Sequence, residues 1–161
     1  MQLTVRTTPR KRLYTEAERA RCDATAWTLV QGLLAPLQFL AFGVSLFLVL
    51  RYLTTGAGYD AATISILVKT TFLIVIMVTG AIWEKKVFGQ YLFAPAFFWE
   101  DVFSFAVIGL HCAYVAMLWT NGLPPNGLMV LALAAYTAYV INAGQFIWKL
   151  RQARLDMQVP A

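Results

Sequence analysis

The sequence predicts an all-α integral membrane protein: a four-helix bundle with both termini cytoplasmic and a short amphipathic helix ahead of the first span. Three observations carry this. Apolar residues make up 60% of the 161-residue chain and charged residues only 13%, too little polar surface for a soluble domain of this size. Four runs, about 27–53, 61–87, 96–119 and 127–148, can each cross a hydrocarbon core, which takes ~20 helical residues. Basic residues flank these runs on one side: Arg6, Arg10, Lys11, Arg12, Arg19 and Arg21 before the first, Lys85 and Lys86 between the second and third, and Lys149, Arg151 and Arg154 after the fourth. Only Arg51 stands near the opposite side, so the positive-inside rule puts the termini and the 83–101 connection in the cytoplasm.

Taken in order, residues 1–26 form a basic cytoplasmic lead. Its YTEAERARCDATAW stretch predicts a helix lying on the membrane surface, with Thr15 and Glu18 at capping-box spacing and Arg19 and Arg21 toward headgroups. The first span is too long for a cleavable signal and lacks a small-residue exit. Pro36 lies inside it, where a kink is expected. TTGAGYD (54–60) and NGLPPNG (121–127) carry the Gly, Pro and Asn of tight connections, and Pro95 suits the first turn of the third span. Residues 149–161 form a cytoplasmic tail. There is one domain and no internal repeat. The positive charge flanks membrane helices without stacking aromatics, which excludes a nucleic-acid surface. Cys22 in the lead and Cys112 deep in the third span are too far apart for a disulfide, which needs Cα atoms within ~7 Å; Cys112 is read as a packing residue.

Polar residues inside apolar runs are the informative ones. The first span carries Gln31, Gln38 and Ser45 at steps of seven, hence on one face. The second carries Thr79 and Glu84, and the third Glu100, Asp101, Ser104 and His111 along one stripe. The fourth carries Asn142 and Gln145, with Lys149 completing the stripe. Lys69 falls in the distal half of the second span and is expected to snorkel outward. Given the topology, most of these groups come to one depth on the cytoplasmic side. This predicts a polar pocket walled by Trp27, Trp83, Trp99, Tyr91, Tyr139, Phe97 and Phe98. Structural alternatives exist for each: Glu100 and Asp101 stabilise a helix N-terminus, Glu84 pairs with Lys85 or Lys86, and His111 bonds a neighbouring helix. No nucleotide loop, zinc motif, CxxC or nucleophile elbow is present. An aromatic slot with two or three carboxyl groups suits acid–base work on an amphiphile, and suits binding of a flat apolar ligand almost as well.

Three segments add a resemblance. RLYTEAERARCDATAWTLVQGLLAPLQFLAFGVSL (12–46), MVTGAIWEKKVFGQYLFAPAFFWEDVFS (77–104) and AYVINAGQFIWKLRQARL (138–155) strongly resemble the vinyl bacteriochlorophyllide hydratases, small membrane enzymes of bacteriochlorophyll synthesis. The likeness covers nearly the whole chain, and WEKKVFGQYLFAPAFFWED is its most specific part.

It implies addition of water to the C3 vinyl group of chlorophyllide a or its 3-vinyl bacteriochlorin relative, giving a 1-hydroxyethyl group, with no cofactor consumed. The partners implied are a magnesium chlorin, water and lipid, with further copies of the chain or neighbouring pigment-synthesis enzymes admitted. The location implied is a bacterial cytoplasmic or intracytoplasmic photosynthetic membrane. On this reading Glu100 is the first choice for the acid and Glu84 for the base, with Asp101 the substitute for either. Gln31, Asn142 and Gln145 position the water, and Trp83 and Trp99 flank the ring. Lys85 and Lys86 meet the propionate. His111 is a candidate axial ligand to the substrate's magnesium, and the protein holds no metal of its own.

The alternative is a non-catalytic pigment-binding or assembly protein, which would leave the vinyl group unchanged. An impermeant thiol reagent should reach cysteine in at least one of Glu84→Cys, Glu100→Cys and Asn142→Cys; full protection of all three would remove the aqueous pocket.

Overall fold

The computed structural model describes residues 12–156, so the basic residues before Arg12 and the tail after Asp156 lie outside it. The described residues form five helices: α1 (Glu16–Ala24), α2 (Ala26–Thr55), α3 (Tyr59–Phe88), α4 (Phe98–Trp119) and α5 (Pro125–Asp156). By length and hydropathy α2 to α5 can each cross a membrane. α2 packs chiefly on α3 and α4 on α5, and the two hairpins meet along α2 with α5 and α3 with α4.

Local chemistry sets the helix ends. Thr15 and Glu18 form the expected capping box at the start of α1. Gly56 and Gly89 close α2 and α3 in the left-handed conformation, at φ 71° and 87°, which glycine adopts without strain. Pro125 takes the first position of α5, where its missing N–H costs nothing. α2 runs on through Pro36 as one helix.

Two expectations are corrected. Pro95 does not open the third span. It sits in a turn closed by Phe97 N–H donating to Ala94 O at 2.8 Å, and the helix begins at Phe98. Proline's fixed φ suits the second residue of such a turn and its ring does not continue from Ala94 into helix. The fourth span also runs past Trp148, carrying Lys149 on helix.

Helices in lipid gain nothing from burying apolar surface against one another; they associate through close packing and interhelical hydrogen bonds. The distal core supplies the packing, with Val49, Ala62, Ile66, Tyr114, Met129, Ala132 and Tyr136 interlocked and the alanines allowing close approach. Ser45 on α2 bonds both Ser65 on α3 and Tyr136 on α5. Leu29, Leu33, Leu40, Phe47 and Ile64 face outward, as lipid-facing side chains should.

At the proximal end, where α2 leaves and α5 returns, Arg21 Nε donates to Val87 O at 2.7 Å and ties α1 to α3. Alanine at Gly89 would meet no atom within 4 Å, so its cost is conformational alone. Gly89→Ala should therefore lower stability by about 1–2 kcal/mol, read as a lower thermal midpoint in lipid nanodiscs.

Candidate active site at the proximal end

The connection from Gly89 to Phe97 buries Ala94 and Phe97, and two carboxyl groups hold its backbone. Asp101, in the first turn of α4, accepts the Phe93 N–H at 2.7 Å. Glu84, in the last turns of α3, accepts the Ala94 N–H at 3.2 Å. The two carboxyl groups thus converge on adjacent N–H groups of one connection. Phe93 has a φ of 58°, unfavourable for a bulky residue. Its bond to Asp101 and the contacts of its ring with Phe98 and Phe105 hold it in place.

Glu84, Asp101 and Glu100 are only 5%, 3% and 4% exposed. Lys149 Nζ lies 3.2 Å from Glu100 Oε2, close enough for charge pairing though without hydrogen-bond geometry, and the same ammonium donates to Ala96 O. Lys149 is thus a site residue that sequence reasoning left in a helix stripe. The available signal was its seven-residue step from Asn142, on the face that carries Gln145.

The other groups divide between inside and outside. Asn142 Nδ2 donates to Ser104 Oγ at 2.8 Å, while its Oδ1 and Gln145 Oε1 have no partner. Gln31 bonds Thr79 across α2 and α3 at 2.7 Å. Trp83 donates to Thr28 at 2.9 Å and stands edge-on to Phe88 and Phe97, in an aromatic cluster that Phe146 and Tyr14 extend. Burial pushes the Tyr14 phenol well above its usual range, so it remains a neutral cap on Phe88. Trp99 does not join this cluster. It is 64% exposed, and Tyr91 and Phe98 also face outward. Lys85 donates to Gly89 O at 2.7 Å, and Lys86 is exposed. Glu84 turns away from both and bonds the connection instead.

Farther in, Lys69 is fully buried, contrary to the expectation that it snorkels. Its Nζ donates to His111 Nε2 at 3.2 Å and lies 4.0 Å from the centre of the Tyr139 ring. His111 Nδ1 donates to Val107 O at 2.8 Å, so both ring nitrogens are engaged and neither faces an open ligand position. Cys112, read as packing, is exposed and lines an apolar groove of about 450 Å³ with Thr70, Ile74 and Trp119. That groove lies in the distal half, away from the carboxyl groups.

Chemically, the proximal end offers two buried carboxyl groups on adjacent N–H groups, a third paired to an ammonium, and carboxamides with free acceptors. Comparison with known proteins places this arrangement in context. The pattern of the 2-vinyl bacteriochlorophyllide hydratase family matches residues 14–152. A 2-vinyl bacteriochlorophyllide hydratase of Rhodobacter capsulatus is 76% identical over 147 residues, 91% of this chain and 85% of the relative. Another from Cereibacter sphaeroides is 70% identical over 159 residues, 98% of each chain. No solved structure matches. With a family match that spans most of its length and relatives this close, the chain belongs to the 2-vinyl bacteriochlorophyllide hydratase family.

Proposed function

We propose that this protein adds water to the C3 vinyl group of a magnesium chlorin, chlorophyllide a or 3-vinyl bacteriochlorophyllide a, by acid–base catalysis at the proximal end of the bundle. The observation that carries the mechanism is the convergence of the buried Glu84 and Asp101 carboxyl groups on the adjacent N–H groups of Ala94 and Phe93. An ionised carboxylate only accepts hydrogen bonds, so two buried carboxyl groups brought this close are held together by sharing one proton. The pair is one proton donor and one acceptor at a single point, which hydration of a double bond requires.

The proton passes from the pair to the terminal vinyl carbon. The cation forms on the carbon attached to the macrocycle, whose π system spreads the charge. Water attacks there and returns a proton to the pair, so no redox cofactor is consumed. This pair is preferred to Glu100 as the acid because Lys149 holds Glu100 in an ion pair.

The aromatic surface of Tyr91, Phe98 and Trp99 at the lipid boundary suits the face of the pigment. Lys85 and Lys86 at the interface suit its propionate, which would keep that carboxylate at the aqueous side. His111 is given no part in holding the magnesium, since both of its nitrogens are occupied. On this reading the protein works in the cytoplasmic or intracytoplasmic membrane of a photosynthetic bacterium, with the proximal end toward the cytoplasm.

Membranes containing the chain, given chlorophyllide a in ¹⁸O-water, should yield a labelled alcohol with a blue-shifted red band. Glu84→Gln and Asp101→Asn should each lower kcat by ~10²–10⁴-fold while insertion persists. Unaltered pigment recovered from wild-type membranes would favour the non-catalytic binding role, and full activity in both variants would contradict the assignment of the pair.

A further inference from the structure

Hydration consumes a water molecule, and buried amide atoms one turn inside the carboxyl pair have nothing to bond. Gln38 is 2% exposed, and among the described residues neither its Nε2 nor its Oε1 has a hydrogen-bond partner. Asn142 is 7% exposed; it uses Nδ2 on Ser104 and leaves Oδ1 unpaired. Gln145 Oε1, a turn nearer the carboxyl groups, is unpaired as well.

These groups lie at neighbouring levels on adjacent helices. Phe42 of α2 packs on Tyr139 of α5 with ring centres 5.1 Å apart. One turn from that contact toward the proximal end, α2 carries Gln38 and α5 carries Asn142. Ser104, which Asn142 bonds, is one turn along α4 from Asp101. On the distal side the Lys69 ammonium lies against the Tyr139 ring. The amides therefore occupy the layer between the carboxyl pair and the Lys69 to His111 contact.

Carboxamides serving only to join helices would bond one another, as Gln31 bonds Thr79. Buried donors and acceptors left over in one layer are instead the surroundings of ordered water, which typically makes about three hydrogen bonds to such groups. Gln38 Nε2 supplies the donor, and Gln38 Oε1, Asn142 Oδ1 and Gln145 Oε1 supply the acceptors.

We propose that Gln38 and Asn142, with Gln145, form a water-binding site that positions the water added to the substrate. Its purpose rests on the hydratase reading; its existence does not. In the step, the water oxygen forms the new C–O bond at the cationic carbon, one of its protons goes to the carboxyl pair, and no oxidant or reductant takes part. Gln38 is a positioning residue, since it acts on the water.

The test uses the full chain in lipid nanodiscs. X-ray pulses convert bound water to hydroxyl radicals, which mark the side chains beside it. Tyr139 should be marked despite its burial, while Met129 in the dry distal core serves as the unmarked control. Gln38→Leu should reduce the marking several-fold without lowering the thermal midpoint, because the leucine leaves no unpaired amide; Asn142→Leu should reduce the marking as well while losing the bond to Ser104. Gln38→Leu should lower kcat by about tenfold or more with KM for the pigment unchanged, and Gln38→Asn should recover part of the loss.

Tyr139 unmarked in the wild type would overturn the water site. Marking that responds to both substitutions while kcat does not would overturn its role in the reaction. Wild-type protein that is marked but fails to hydrate the pigment would refute the hydratase reading and leave the water site standing.

Discussion

Two buried carboxyl groups organise the proximal end of this protein. Glu84 and Asp101 take the N–H groups of Ala94 and Phe93, so the connection between α3 and α4 is pinned to the bundle at Ala94 while Tyr91 and Phe93 stay exposed. Backbone donors at membrane depth must be satisfied within the protein, and here acidic side chains satisfy two of them. The left-handed Gly89, the αL Phe93 and the Ala94 to Phe97 turn around Pro95 are the conformations that allow it. The acids proposed to move the substrate's proton are thus also the groups that shape the wall beside it.

Around this clamp the polar groups form layers. Outermost is the Glu100 to Lys149 ion pair, then the Glu84 to Asp101 pair, the Ser104, Asn142 and Gln38 amide layer, and the Lys69 to His111 contact beneath. The Glu100 to Lys149 and Ser104 to Asn142 contacts tie α4 to α5 within one hairpin, whereas the Lys69 to His111 contact joins the two hairpins through α3 and α4. Partnering differs from layer to layer. Lys69 has His111 and aromatic faces, whereas Gln38 has no hydrogen-bond partner among the described residues. A scaffold optimised for stability alone would replace such a glutamine with an aliphatic residue, and this is the ordinary sign of a site kept for chemistry.

Hydropathy and loop chemistry made the spans legible, because a run of apolar residues in lipid admits helix and little else. The common depth of Glu84, Asp101, Ser104 and Asn142 followed once the direction of each span was fixed. Rotation about each helix axis was harder to read. The Gln31, Gln38 and Ser45 stripe marks the inner face of α2, but on α3 the run around Lys69 is apolar on both sides and on α4 Trp99 stands between polar residues, so their facing was not readable. Lys69 was therefore assigned to the surface and Trp99 to the pocket, and both lie the other way round. Lys149 was read on the stripe of Asn142 and Gln145 but left out of the site, because the span was ended at Trp148 although the helix continues. Contacts between carboxyl groups and loop N–H groups leave no pattern in sequence, since they depend on a turn whose φ values only coordinates give.

The most direct measurement of the central contact is infrared spectroscopy of the resting protein in lipid, with and without exchange into D₂O. A proton shared by Glu84 and Asp101 predicts a protonated-carboxyl C=O band that shifts on exchange. The band should vanish in Glu84→Gln and in Asp101→Asn and persist in Glu100→Gln. A wild-type spectrum with carboxylate bands alone, or a band lost only in Glu100→Gln, would contradict the account.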